Sequence, residues 1–278
     1  MNPHAPHRAS LPTLLGALWR NRRLIAQMTQ REVVGRYKGS VMGLTWSLLN
    51  PVLMLSVYTF VFSVIFKSRW TTAGAPDEGR AQFALILFVG MIVHGLFAEV
   101  VNRAPGLIVG NVNYVKKVVF PLEVLPVIAI GAAVFHALVS LGVLLAVFAA
   151  VHGFVPLSAV LLPAILLPFL LLIAGVAWML ASLGTFLRDI GQTVGIITAV
   201  MMFLSPVFYP ISALPEAFRP FFMANPLTFI IEQSRNVLIW GRWPDWSGLV
   251  LYWAISVAVA AAGFAWFQKT RKGFADVL

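Results

Sequence analysis

Arg31, Arg36 and Lys38 lie within one short stretch and lead straight into an apolar run that starts near Gly43, with Trp46 just inside it. Guanidinium groups suit the recognition of a dianionic phosphate, because the planar fork donates two hydrogen bonds at once. The same cations also suit plain anchoring beside a membrane, and the sequence leaves both readings open. Other candidate chemistry is sparse. Glu99 precedes Arg103 by four residues, in the order that favours an ion pair along one helix. His94 and His136 each stand alone in apolar surroundings and read as packed or hydrogen-bonded rather than as metal ligands or proton relays. There is no HExxH, no cluster of carboxylates and no Ser-His-Asp set, so no catalytic residue, metal or cofactor is expected. The string Gly35-Arg-Tyr-Lys-Gly-Ser40 has its lysine before the glycine and lacks the spacing that cradles phosphates. Energy for any pumping must therefore come from a partner that binds ATP and Mg.

Two further groups attract notice. Trp46, Tyr58, Phe60 and Phe62 fall in the first apolar run, and Phe203, Phe208 and Tyr209 in the fifth. Aromatic faces stack on sugar rings, yet Trp and Tyr also gather at bilayer surfaces, so these residues either line a conduit or belong to the ordinary membrane interface. The loop RAPGLIVGNVNYVKKVVFPLEVLP mixes Tyr114 and Phe120 with Lys116 and Lys117. A short amphipathic helix there either inserts an apolar knob into a cytosolic partner or lies flat on the membrane. Arg188-Asp189 marks a second, very short contact on the same side.

The elements that must position these groups are membrane helices. Of 278 residues, 60% are apolar and 11% charged, with mean hydropathy +0.88, against about half and about a quarter in soluble domains. There is no cysteine, so no disulfide or thiolate metal site can form. The N-terminus lacks a short apolar region beside a cleavage site, and no cleavable signal peptide is expected. Six continuous apolar runs are long enough to cross a bilayer: Leu44–Phe66, Gln82–Val101, Val124–Val151, Leu157–Gly184, Ile190–Tyr209 and Gly248–Phe267. Fourteen of the 20 Lys and Arg residues fall on the side of the N-terminus, which places both termini in the cytoplasm and explains the basic excess without nucleic acid.

Ahead of the first span, Leu11, Leu14, Leu15, Leu18, Ile25 and Met28 recur at helical spacing, opposite Arg20, Arg23, Gln27 and Arg31, with Ser10 as the expected cap. Such a helix lies in the membrane interface, as an anchor or as a docking element. Between spans five and six, a stretch too apolar for a solvated loop is broken by Pro215, Pro220 and Pro226. Two short helices dipping back into the outer half of the membrane would bury Phe218, Phe221, Phe222, Phe229, Ile230 and Ile231; an interfacial helix is the alternative.

From about residue 20 onward the sequence resembles the ABC-2 type permeases that export polysaccharides. Members commonly read RD.K.RY followed by LG..W....P, and Arg31, Glu32, Arg36, Tyr37, Lys38, Met42, Gly43, Trp46 and Pro51 take those places. Glu32 stands where aspartate is usual and Met42 where leucine is usual. Further likeness lies in FPLEVLP from Phe120, in Arg188-Asp189, in SPVFY from Ser205, in Asn225-Pro226 and in the ending FADVL.

The resemblance implies an all-α integral membrane protein and a single ABC-2 transmembrane domain over 1–278. Within it, residues 10–38 form a cytoplasmic interface helix, 44–267 a six-span bundle, and 211–240 a periplasmic pair of re-entrant half-helices. It implies a homodimer in the bacterial inner membrane, working with two cytosolic ABC ATPase subunits on a lipid-linked polysaccharide such as O-antigen, capsule or teichoic acid. Trp46, Tyr58, Phe203, Phe208 and Tyr209 would then serve the conduit or gate, and Arg31, Arg36 and Lys38 the lipid headgroup. Tyr114, Lys116, Lys117, Phe120, Glu123, Arg188 and Asp189 would meet the ATPase. The alternatives are an exporter of a small hydrophobic compound or drug, and a membrane scaffold without transport.

Overall fold

The computed structural model describes residues 11–61, 80–116 and 120–278, and among these every regular element is a helix. The expected cap Ser10, the far end of the first span from Phe62 to Phe66, the loop that follows it as far as residue 79, and Lys117 lie outside the described residues. In chain order the helices are α1 (Leu11–Arg20), α2 (Arg22–Arg36), α3 (Trp46–Tyr58), α4 (Arg80–Arg103), α5 (Val112–Lys116) and α6 (Val124–His152). They continue as α7 (Leu162–Phe186), α8 (Ile190–Phe203), α9 (Arg219–Met223), α10 (Pro226–Leu238), α11 (Trp246–Thr270) and α12 (Phe274–Val277).

Five helical stretches are long and apolar enough to cross a membrane: Gly43–Val61, Gln82–Gly106, Val124–His152, Leu157–Phe186 and Trp246–Val277. The fifth expected span, Ile190–Tyr209, differs. α8 has 14 residues, about 21 Å of helix, short of the roughly 30 Å of a bilayer core. It stops at Phe203 because Pro206 cannot donate to the ladder and disfavours helical geometry in the residue before it. Pro51, by contrast, sits buried inside a continuous α3.

α4 is the central post. Every side chain from Phe83 to Val89 is buried, so the helix is apolar all round rather than on one stripe. α7 and α11 meet backbone to backbone: a Cβ added at Gly263 would overlap the carbonyl of Gly175, and one added at Gly175 would overlap that of Val259. Small residues bring membrane helices this close because dispersion contact, rather than expulsion of water, holds them together.

α1 and α2 are joined through Asn21, whose side-chain amide donates to the Ala17 carbonyl at 2.8 Å. Leu14 is buried, and Leu18, Ile25 and Met28 pack on the core, whereas Leu15 and Trp19 remain exposed. The apolar positions thus divide between an inward and an outward face. α2 approaches α6 closely at Gly131, where a Cβ would come 2.8 Å from Thr29 Oγ1. The chain then turns into α3 through Gly39 at φ 90° and Gly43 at φ 51°, left-handed conformations that favour glycine.

Candidate functional site

The basic residues before α3 do not act as one set. Arg36 reaches across to α4, its Nη1 2.8 Å from Glu99 Oε1. His136 of α6 brings Nδ1 to 2.9 Å from the same oxygen, and the Tyr37 hydroxyl lies 3.2 Å from His136 Nε2. With Nδ1–H donating to the carboxylate and Nε2 accepting from Tyr37, His136 joins the two, while Arg36 donates to the same carboxylate and brings its Nη1 to 2.9 Å from Nδ1. One turn away, Arg103 donates to Glu32 of α2. The expected pairing of Glu99 with Arg103 along α4 gives way to two pairs that cross to α2. Arg31 and Lys38 stay exposed. Arg31 lines a cleft of about 540 Å³ together with Glu32, Arg36, Arg103, Asn111 and Tyr114.

On the membrane side of this cluster, a cavity of about 310 Å³ opens between α3, α4 and α6. Asn50, Tyr58, Glu99, His136 and Ser140 give it polar patches in a largely apolar wall. Tyr58, one of the expected conduit aromatics, is therefore on this cavity. Trp46 stands half-exposed at the start of α3.

The other three expected conduit aromatics come together past the end of α8. The rings of Phe203 and Phe208 lie 5.9 Å apart. The Tyr209 hydroxyl donates to the Phe203 carbonyl, and its ring meets Phe222 edge-on at 6.1 Å. Within the chain they form a group separate from Trp46 and Tyr58.

The loop before α6 folds much of its apolar side inward. Ile108 is buried, and Tyr114 stacks on Phe120 with ring centroids 4.4 Å apart, while Val109 and Lys116 face outward. Glu123 is buried and pairs with Arg271 at 2.7 Å; its carbonyl accepts from Trp178 Nε1, and Arg271 also donates to the Phe120 carbonyl. Glu123 thus holds this loop against the end of α11. Arg188 and Asp189 are exposed, in the turn from α7 to α8.

Two short helices, α9 and α10, occupy the proline-broken segment between the fifth and sixth expected spans. Ile230 and Ile231 of α10 are buried and Phe229 stacks on Tyr252, but Phe218 and Phe221 beside and within α9 are exposed. The residue that fixes α10 escaped the sequence reading. Arg235 is fully buried and donates to the carbonyl of Ile86 on α4 at 3.1 Å, to that of Val207 at 3.0 Å and to Glu232 at 2.9 Å. Its signal was available: an Arg three residues after a Glu, in a stretch too apolar for a solvated loop. Asn225 caps α10 by accepting from Leu227 N–H, and its amide donates to Ser205 Oγ and to the Leu204 carbonyl, both at 3.0 Å. His94 is hydrogen-bonded through Nε2 to the Thr198 carbonyl at 3.1 Å, which ties α4 to α8.

Residues 23–239, from α2 through the end of the outer segment, match the profile of the ABC-2 type transporter family. The chain belongs to that family.

Its ABC-2 relatives extend the match beyond those residues. It is 27% identical over 265 residues to the O-antigen export system permease protein RfbA of Myxococcus xanthus, covering 95% of this chain and 98% of that protein. The protein of the same name from Klebsiella pneumoniae is 26% identical over 257 residues, 92% of this chain and 95% of its own length. The polysialic acid transport protein KpsM of Escherichia coli is 22% identical over 214 residues, 76% and 79% of the two chains. The stretch aligned with the O-antigen permeases thus takes in α2 and runs on through α9 and α10.

Proposed function

We propose that this chain is the membrane subunit of an ATP-driven exporter that moves lipid-linked polysaccharide of the O-antigen type across the bacterial inner membrane. The observation that carries the reading is near full-length similarity to permeases named for O-antigen export, beside a weaker match to capsule-type transporters. On this reading the chain is one six-span domain. α8 and the turns to Tyr209 complete the fifth crossing, helped by the neighbouring outer helices, and α9 with α10 re-enters from the periplasm. Both termini face the cytoplasm, and two copies of the chain work with two ATPase subunits. Hydrolysis belongs to those subunits, in keeping with the reversed order of lysine and glycine at Gly35–Ser40.

The residues then take distinct roles. The exposed cations Arg31 and Lys38 meet an anionic headgroup, while the guanidinium of Arg36 is already engaged by Glu99. Trp46 and the Phe203–Phe208–Tyr209 group present stacking faces to sugar. Tyr114, Lys116, Arg188 and Asp189 lie on the loops that face the ATPase.

Deleting the gene tests the reading. Lipid-linked glycan should accumulate inside the cell and vanish from its surface, as read on extracted polysaccharide. Normal surface glycan together with a new sensitivity to hydrophobic compounds would favour a drug exporter instead. No change in either, in a strain without a second copy, would leave only a scaffold.

A further inference from the structure

Glu32 and Arg36 lie one turn apart on α2, and Glu99 and Arg103 one turn apart on α4. The charges run in the same order along the two helices, acid before base, and the helices face each other in opposite directions there, so each acid meets a base: Glu32 with Arg103 and Arg36 with Glu99. His136 adds a third element, α6, to the Glu99 carboxylate, and Tyr37 closes the ring from the α2 side. α2 is thereby joined through side-chain charge to two long helices at once.

The surroundings suit movement. The side chains of Arg36 and Arg103 are 42% and 32% exposed. The Glu32–Arg103 pair, open to water on both sides, costs little to part, because water replaces the lost partner, whereas Glu99 is only 17% exposed and makes the firmer end. Glu99 and His136 also border the cavity of about 310 Å³ beneath α3, which gives them room to change rotamer. Meanwhile the crossed order of charges forbids a shift of α2 by one turn, since that would place like charges opposite each other.

We propose that Glu32, Arg103, Glu99 and His136 are positioning residues that form, with Arg36, an ionic latch carrying displacement of α2 into α4 and α6, so that its loss uncouples ATP hydrolysis from export. This rests on the reading of the chain as an ATP-driven permease. No residue of the latch touches nucleotide; each acts by keeping α2 in register with the bundle.

The experiment uses the complex of the full chain with its own ATPase. Hydrolysis is measured on the purified complex, and export as surface polysaccharide in cells that carry each variant as sole copy. For Glu99→Gln, the latch requires hydrolysis within about twofold of wild type and export down about tenfold, a coupling of ordinary size. Hydrolysis and export both unchanged, or both reduced in parallel, would overturn it. Should Glu99→Gln fail to reach the membrane, the charge swap decides. Glu32→Arg should lose export, and Glu32→Arg with Arg103→Glu should regain at least half of it. A double variant no better than the single one sinks the latch. Absence of export from the wild-type complex is a separate outcome and would refute the transport reading itself.

Discussion

Two peripheral elements are tied to α4, and they are tied in opposite ways. At its cytoplasmic end by the proposed orientation, α2 is held by side chain to side chain, between groups that water reaches. At its other end, Arg235 of α10 holds on to the Ile86 carbonyl from a site with no exposure at all. An exposed ion pair has a ready substitute in water and is worth about 0–1 kcal/mol. A buried guanidinium whose partners are backbone carbonyls has none, and breaking such a site costs about 3–5 kcal/mol. The contrast separates an attachment that can be released from one that is permanent. By this measure α10 is a fixed strut of the outer segment, and the movable attachment lies at the other face.

The largest effect should come from breaking the strut. Arg235→Met leaves the carbonyls of Ile86 and Val207 and the Glu232 carboxylate without their donor, and stability should fall by about 3–5 kcal/mol, seen as a lower Tm of the detergent-solubilised protein. A shift of under a degree would erase the distinction drawn above. Asn225→Ala should cost about 1 kcal/mol through loss of the α10 cap, with Ser205 Oγ also losing its donor. If its cost equals that of Arg235→Met, the strut is cooperative rather than centred on one residue. The smallest effect belongs to Glu32→Gln, at under about 1 kcal/mol and fading as salt is raised from 0.05 to about 0.5 M. A loss as large as that at Arg235, or one indifferent to salt, would show the inner attachment to be structural as well.

Much of this architecture could be read from the chain, because a bilayer demands long apolar helices and leaves few alternatives. Five of the six expected crossings coincide with such helices. The fifth run is longer than its helix, since hydropathy continues through Leu204 to Tyr209 whereas the helical ladder ends at Phe203. Local spacing also misled at Glu99. An acid and a base four residues apart look like partners until a second helix offers both of them better ones, and no local pattern reveals that helix. Arg235 was passed over for a related reason: its partners are mostly backbone carbonyls, which leave no trace in side-chain patterns. Phe218 and Phe221, which the apolar pattern would bury, are exposed among the described residues.

The seam where Gly175 meets Gly263 has a consequence of its own. Packed side chains can exchange rotamers and let two helices slide, but touching backbones have no such freedom, and the nearest alternative arrangement is full separation. α7 and α11 must therefore travel as one piece. Whatever rearrangement accompanies a transport cycle has to be shared among the helices around that rigid pair, since neither sliding nor rotation of one against the other is open to it.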